Sequence, residues 1–192
     1  MKRVLVTLIV SAFVLHLSAQ GKFTDPRDGN SYKTVQIDGV TWMAENLKFK
    51  VVGEEVYSFD NNPVNIASYG LLYDWKTASK ACPAGWHLPS GEDFRSLSNQ
   101  FDIQDNRTNP ESGPATFKVQ LAGMQDYEGT FTEMDESAYY WTSTEYGENE
   151  AEYFSYLILN GKPVIDISRK DDMPDIHGSE KTNKYSIRCV KN

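Results

Sequence analysis

An α+β fold follows from three features of the sequence. A hairpin signature lies near the N-terminus, two short helical patterns follow in the middle, and segments ending in turn signals fill the C-terminal half, where twisted antiparallel strands are expected. The 192 residues suit one ordinary domain. With 40% hydrophobic and 24% charged residues, disordered, collagen-like and coiled-coil chains are excluded.

Residues 1–20 read as a secretory signal peptide. Lys2 and Arg3 form a positive start, residues 4–17 are apolar except for Thr7, Ser11 and His16, and Ser18 and Ala19 supply small residues for cleavage near Ala19 or Gln20. The apolar stretch is too short for a comfortable membrane span, and no later run approaches one, so no transmembrane segment is expected in the mature chain. No cysteine lies near the cleavage site, which argues against a lipoprotein. Residues 21–192 are left as a single domain, destined for secretion, the cell surface or the periplasm. There are 27 acidic and 19 basic residues; losing Lys2 and Arg3 with the leader takes the formal charge from −8 to −10. Such a chain repels nucleic acid, whose phosphates require a basic stripe.

The elements follow in order. Ser31 to Ile37 and Val40 to Met43 flank Asp38-Gly39, a two-residue turn signal, and predict a hairpin. Residues 50–68, mixed in Gly, Asn, Pro and Ser, read as loop. Trp75, Ala78 and Cys82 fall at helical spacing until Pro83 and Gly85 end the segment. Ser90-Gly91-Glu92-Asp93 resembles a capping box with Asp in place of Glu, opening a second helix whose apolar face is Phe94, Leu97 and Phe101. Residues 105–114 form an acidic loop. Phe117, Val119 and Leu121 alternate as one face of a strand, and residues 137–144 carry the aromatic run Tyr139-Tyr140-Trp141. Residues 153–159 run into Asn160-Gly161, a second hairpin turn, with a strand after it. Residues 170–184 are a polar loop, and Tyr185, Ile187 and Cys189 alternate as the buried face of a last strand.

Export gives the two cysteines meaning. In an oxidising compartment Cys82 and Cys189 are expected to pair, and closing so long a loop contributes about 4–5 kcal/mol on a chain-entropy estimate. The alternative is a Cys82 nucleophile with His87 as its base, although Pro83-Ala84-Gly85 offers no cation to lower the thiol pKa.

Several segments together resemble one family. They are Phe23-Thr24-Asp25-Pro26-Arg27-Asp28-Gly29, Trp42-Met43-Ala44-Glu45-Asn46-Leu47 and Tyr69-Gly70-Leu71-Leu72-Tyr73-Asp74-Trp75. Cys82-Pro83-Ala84-Gly85-Trp86-His87-Leu88-Pro89-Ser90, Tyr140-Trp141-Thr142-Ser143-Thr144-Glu145 and Ser186-Ile187-Arg188-Cys189-Val190-Lys191 complete the set. In this order they are similar to the Fibrobacter succinogenes major paralogous domain family. The resemblance implies an exported bacterial protein of a type frequent among Bacteroidetes and Fibrobacteres. It also implies a fold related to the C-type-lectin-like and formylglycine-generating-enzyme folds, with which a helix-to-last-strand disulfide agrees. It carries no established activity.

The chemistry must then come from individual residues. Trp42, Trp75, Trp86 and Trp141 suit either a sugar-stacking platform or the core, and core is the simpler reading; Trp86 is expected beside the disulfide. Glu45-Asn46 and Asn61-Asn62 suit turn capping and pairing of backbone groups. Candidate ligand-binding residues are Tyr139, Trp141, Glu145, Glu148, Asp171 and Asp172. No cofactor is expected, with calcium as the one alternative, since Glu148, Glu150, Asp171, Asp172 and Asp175 offer hard oxygen ligands. Calcium-dependent lectins of the resembled fold use Glu-Pro-Asn or Gln-Pro-Asp and a later Trp-Asn-Asp. This chain has the reversed Asn109-Pro110-Glu111 and no Trp-Asn-Asp. There is no His-Glu-x-x-His, Gly-x-Ser-x-Gly or phosphate-binding glycine loop, and only His87 and His177 remain after residue 20. His87, between Trp86 and Leu88, reads as structural. The expectation is an exported non-catalytic recognition domain for a glycan or a protein, bound by residues 102–116, 143–152 and 169–184. The alternatives are a surface-polysaccharide enzyme using paired carboxylates or a Cys82 thiol, and a structural or adhesin subunit.

Overall fold

The computed structural model describes residues 21–98, 117–160, 162–167 and 178–191. It is an α+β fold of curled sheets with few, short helices. Strands β1 (Gly21–Thr24), β2 (Ser31–Ile37) and β3 (Val40–Met43) pair antiparallel. The β2–β3 turn forms as its dipeptide predicts: Asp38 and Gly39 take φ of 48° and 81°, the left-handed pair that a two-residue hairpin needs. Residues 50–68, read as loop, hold β4 (Val56–Tyr57), two single 3-10 turns and the start of the one-turn helix α1 (Ile66–Tyr69). Strand β5 (Leu72–Tyr73) pairs with β4.

Helix α2 (Trp75–Ala81) is capped by Asp74, whose carboxylate accepts from the Thr77 amide at 2.7 Å, and it stops at Cys82, held extended before Pro83. After β6 (Trp86–His87) comes α3 (Gly91–Ser98). Its capping box is reciprocal: the Asp93 amide donates to Ser90 Oγ at 3.2 Å, and Asp93 Oδ2 accepts from the Ser90 amide at 2.7 Å. Phe94 and Leu97 are buried as its pattern requires; Phe101, the 105–114 loop and the leader lie outside the described residues.

Strands β7 (Ala122–Gln125), β8 (Phe131–Met134), β9 (Ser137–Glu145), β10 (Glu150–Leu159), β11 (Lys162–Ile167), β12 (Ser179–Glu180) and β13 (Val190–Lys191) complete the described chain. One sheet has the order β1-β2-β3-β13-β6 and is antiparallel throughout; the other has the order β11-β10-β9-β7-β8, with β12 beside β10 and β7 parallel to β9. Asn160 opens the β10–β11 hairpin with φ of 52°.

Two expectations need correcting. Residues 117–121 are not a strand: the Phe117 and Lys118 carbonyls accept from Arg188, and the Gln120 carbonyl turns back to accept from the Ala122 amide at 2.8 Å. Residues 185–190 are not a one-faced strand either. Tyr185, Ile187 and Cys189 are buried as expected, but so are Ser186, Arg188 and Val190 between them.

That segment is where the core divides. Tyr185, Ile187 and Cys189 enter one apolar cluster with Tyr32, Met43, Leu47, Tyr73 and Trp141. Val190 enters a second, with Trp42, Phe94, Phe117, Tyr140 and Phe154, and the Arg188 guanidinium lies 4.4 Å from the centre of the Phe117 ring. Cys82 and Cys189 are bonded across a sequence separation of 107, so α2 is fastened to the segment that divides the core.

Candidate functional site

The recurring sequence blocks meet around one buried network. Arg188 is completely buried, and among the described residues its hydrogen-bond partners are carbonyl and amide oxygens. Its Nε donates to Asn46 Oδ1 at 2.9 Å, one terminal nitrogen to the Phe117 carbonyl, and the other to the Lys118 carbonyl at 2.6 Å and Gln120 Oε1 at 3.4 Å. Burial lowers its pKa from the ordinary arginine value, with Tyr140 and Glu45 acting in the opposite sense. Asn46 spends its amide on the Tyr69 carbonyl at 2.9 Å and Ser186 Oγ at 3.1 Å, and its backbone N–H on Gln120 Oε1 at 2.6 Å. Gly70, at φ of +76°, lets the chain pass Asn46: an added Cβ would lie 2.6 Å from the Asn46 Cβ. The Glu45 carboxylate accepts from the Lys33 amide at 2.8 Å. The Glu45-Asn46 pair therefore serves backbone groups.

The other blocks are also structural. Asp25, with no solvent exposure, receives the Arg27 guanidinium at 2.7 Å, and Arg27 continues to the Ala81 carbonyl at 2.8 Å at the end of α2. Trp141 has no exposed surface and donates from Nε1 to the Tyr73 carbonyl at 2.8 Å, with its ring 4.4 Å from Tyr185. As a ligand-binding candidate it is displaced by its own burial. Tyr139 stacks on Tyr185 at 5.2 Å, half-buried, and its hydroxyl donates to Glu133 at 2.7 Å; burial first, and this bond second, raise its pKa. Trp42 and Trp86 are buried too, and Trp86 shares the disulfide's cluster. With both cysteines in the bridge, no thiol nucleophile exists at Cys82. His87, expected as structural, is exposed on β6 opposite Val190.

Trp75 is the tryptophan left half-exposed, and it stands beside the two described loops expected to bind ligand. Lys181 joins them. Its ammonium donates to the Gly147 and Glu148 carbonyls at 2.9 Å each, lies 3.8 Å from the Glu145 carboxylate and sits 4.6 Å from the centre of the Trp75 ring. Its backbone N–H reaches the Asn149 carbonyl at 2.8 Å, and its carbonyl accepts from the Trp75 amide at 3.0 Å. Residues 145–150 and 178–184 therefore form one platform, with Glu145 and Glu148 exposed on it. Sequence reading missed Lys181, because one lysine in a polar loop has no periodicity to mark it.

Glu150 is half-buried at the start of β10 and pairs in register with Glu180. Glu152, at the end of the expected binding segment 143–152, is buried and paired with Arg95 at 2.6 Å. Asp171, Asp172 and Asp175 lie outside the described residues, and among the described residues no three His, Cys, Asp or Glu side chains cluster. No helix among them is long and apolar enough to cross a membrane.

Neither a curated protein nor a solved structure matches this sequence. The Fibrobacter succinogenes major domain family matches residues 35–191, which include all but the first of the sequence blocks. By that match the chain belongs to the Fibrobacter succinogenes major domain family.

Proposed function

We propose that the chain is an exported, non-catalytic recognition domain with a C-type-lectin-like fold. It holds a glycan or protein partner outside the cell on the platform of residues 145–150, 178–184 and Trp75. The observation that carries this reading is the Lys181 ammonium. It fixes two loops through two carbonyls, a carboxylate and an aromatic face, so the surface is organised before a partner arrives. Two of the family blocks end on this platform, one at Trp75 and one at Glu145. The fold assignment draws support from the mixture of short helices with antiparallel strands and from the disulfide between the end of α2 and the chain's late segment. Export rests on residues 1–20. No cofactor is needed, because a protein ammonium supplies the cation that these loop carbonyls accept.

The test uses the protein recovered after export, applied to a glycan array and to a pull-down from extracellular and envelope fractions. A specific ligand is expected, and Lys181→Met should abolish its retention while shifting Tm by only a few degrees. Turnover of a surface polysaccharide by the wild-type protein, or binding that survives both Lys181→Met and Trp75→Ala, would overturn the reading.

A further inference from the structure

A run of touching aromatic rings leads outward from Trp141 and ends on a carboxylate. Trp141, with no exposed surface, lies 4.4 Å from Tyr185 between ring centres, and Tyr185 lies 5.2 Å from the half-buried Tyr139. Tyr153 joins the group, 5.4 Å from Tyr185 and 6.0 Å from Tyr139. The polar ends of these rings differ in chemistry. Trp141 Nε1 donates to the Tyr73 carbonyl, and the Tyr185 hydroxyl shares a 2.7 Å hydrogen bond with the Ser179 hydroxyl, both weak proton acceptors. The Tyr139 hydroxyl instead donates to the Glu133 carboxylate at 2.7 Å. That carboxylate stands on an uncommon backbone: Glu133 has φ of 65°, a left-handed conformation that costs energy in a non-glycine residue. Gly123 makes room for it, since an added Cβ would lie 2.2 Å from the Thr132 carbonyl oxygen and 2.9 Å from the Glu133 carbonyl carbon.

We infer that Trp141, Tyr185 and Tyr139 form a route that carries an oxidising equivalent out of the core, with Tyr139 and Glu133 as its terminus. A one-electron oxidant, such as an alkoxyl radical that is reduced to its anion, takes an electron from Trp141. Tyr185 refills the indole, and Tyr139 refills Tyr185. The Tyr139 O–H bond breaks as its electron leaves, and the proton passes to Glu133, leaving a neutral tyrosyl radical beside a carboxylic acid. Trp141 and Tyr185 end unchanged, and the electron deficit cannot return to them unless Glu133 gives the proton back. A soluble thiolate then restores the electron at the half-exposed Tyr139 while Glu133 restores the proton. Burial, and the Glu133 bond second, raise the Tyr139 pKa, so the phenol holds its proton until it is oxidised. The route spares Trp141, whose cluster includes Cys189, from irreversible oxidation. None of Trp141, Tyr185, Tyr139 and Glu133 belongs to the Lys181 platform, so the route does not depend on the recognition reading.

The test starts the oxidation inside the protein, by laser photoionisation of its tryptophans in the presence of an electron scavenger. Time-resolved absorption follows the decay of the indole radical and the growth of the tyrosyl radical. Trp42 touches Phe94 and Phe117, and Trp86 touches Phe23, so conversion of indole to tyrosyl radical reports on Trp141. Conversion is expected in the wild type. Tyr139→Phe keeps the ring and removes the hydroxyl; it should abolish conversion, and under steady illumination in air it should raise oxygenated Trp141 severalfold by peptide mass spectrometry. Glu133→Gln still accepts from the hydroxyl but is no base, and it should slow conversion about a hundredfold, the lower end of what a positioned proton acceptor supplies. Absence of conversion in the wild type, a tyrosyl signal that persists in Tyr139→Phe, or a rate indifferent to Glu133→Gln would each overturn the route. Should either variant fail to fold, the other decides alone.

Discussion

Arg188 Nε and Asn46 Oδ1 meet at 2.9 Å across 142 residues of sequence, and both side chains are fully buried. The guanidinium is balanced by carbonyl oxygens and by the faces of Phe117 and Tyr140. Such an arrangement tolerates no partial replacement. Arg188→Met leaves the Phe117 and Lys118 carbonyls and the Asn46 oxygen without these donors, and is expected to cost about 3–5 kcal/mol. Arg188→Lys should recover little, because a point ammonium does not reproduce the planar fork. Urea unfolding of both variants measures this; a loss below about 1 kcal/mol for either would contradict the account.

The Cys82–Cys189 bridge should contribute about 2–5 kcal/mol. Cys82→Ser, Cys189→Ser and reduction of the wild type are expected to lower Tm by similar amounts, with reductant having no effect on either variant. A variant that melts with the wild type would show that packing alone holds the late segment.

Acid should act in part through Asp25. Burial pushes its carboxyl pKa up, but the Arg27 side-chain and backbone hydrogen bonds pull it further down, to a net value below 3.8. The unfolded chain therefore takes up the proton more readily. Asp25 contributes its full stability above the unfolded pKa, and that contribution is lost as the pH falls through the folded one. Asp25→Asn should cost about 1–2 kcal/mol at neutral pH, and its difference from wild type should shrink steadily below about pH 4. Denaturant midpoints between pH 7 and pH 2 give the comparison; a constant difference would assign the loss to shape instead of charge.

Two glycines with similar backbone angles should respond unequally to alanine. Gly39, at φ of +81°, has open space around an added Cβ, so Gly39→Ala carries conformational strain of about 1 kcal/mol. Gly70, at +76°, would place its Cβ 2.6 Å from Asn46 Cβ and 2.9 Å from the Leu47 carbonyl. Gly70→Ala is expected to cost about 3 kcal/mol or more, because strain and collision with the Asn46 network add. Thermal unfolding of the pair separates them.

What was legible in the sequence was mostly local. Asp38-Gly39, Asn160 and the Ser90–Asp93 cap act within a few residues of themselves, so their chemistry can be read along the chain. At residues 117–121 the expected strand gives way to carbonyls bonded by Arg188, about seventy residues further along the chain. Alternation at 185–189 revealed one buried face and concealed the other, since Ser186 and Arg188 look solvent-facing until their distant partners are known. Glu148 lies exposed in the turn between β9 and β10, with Glu145 closing β9. The platform's organiser, Lys181, works through backbone carbonyls, which no sequence pattern displays.

The position of residues 185–190 between both apolar clusters also sets a timetable. During synthesis these residues emerge after nearly everything they join, so neither cluster can close around them before residue 190 has been made. Contacts of this kind slow folding, because distant ends must be brought together before the enthalpy of packing is gained. This chain therefore waits with its aromatic surfaces open until residues 185–190 arrive. The Cys82 thiol keeps no partner until then, and a holding chaperone or a thiol oxidant would have its opportunity in that interval.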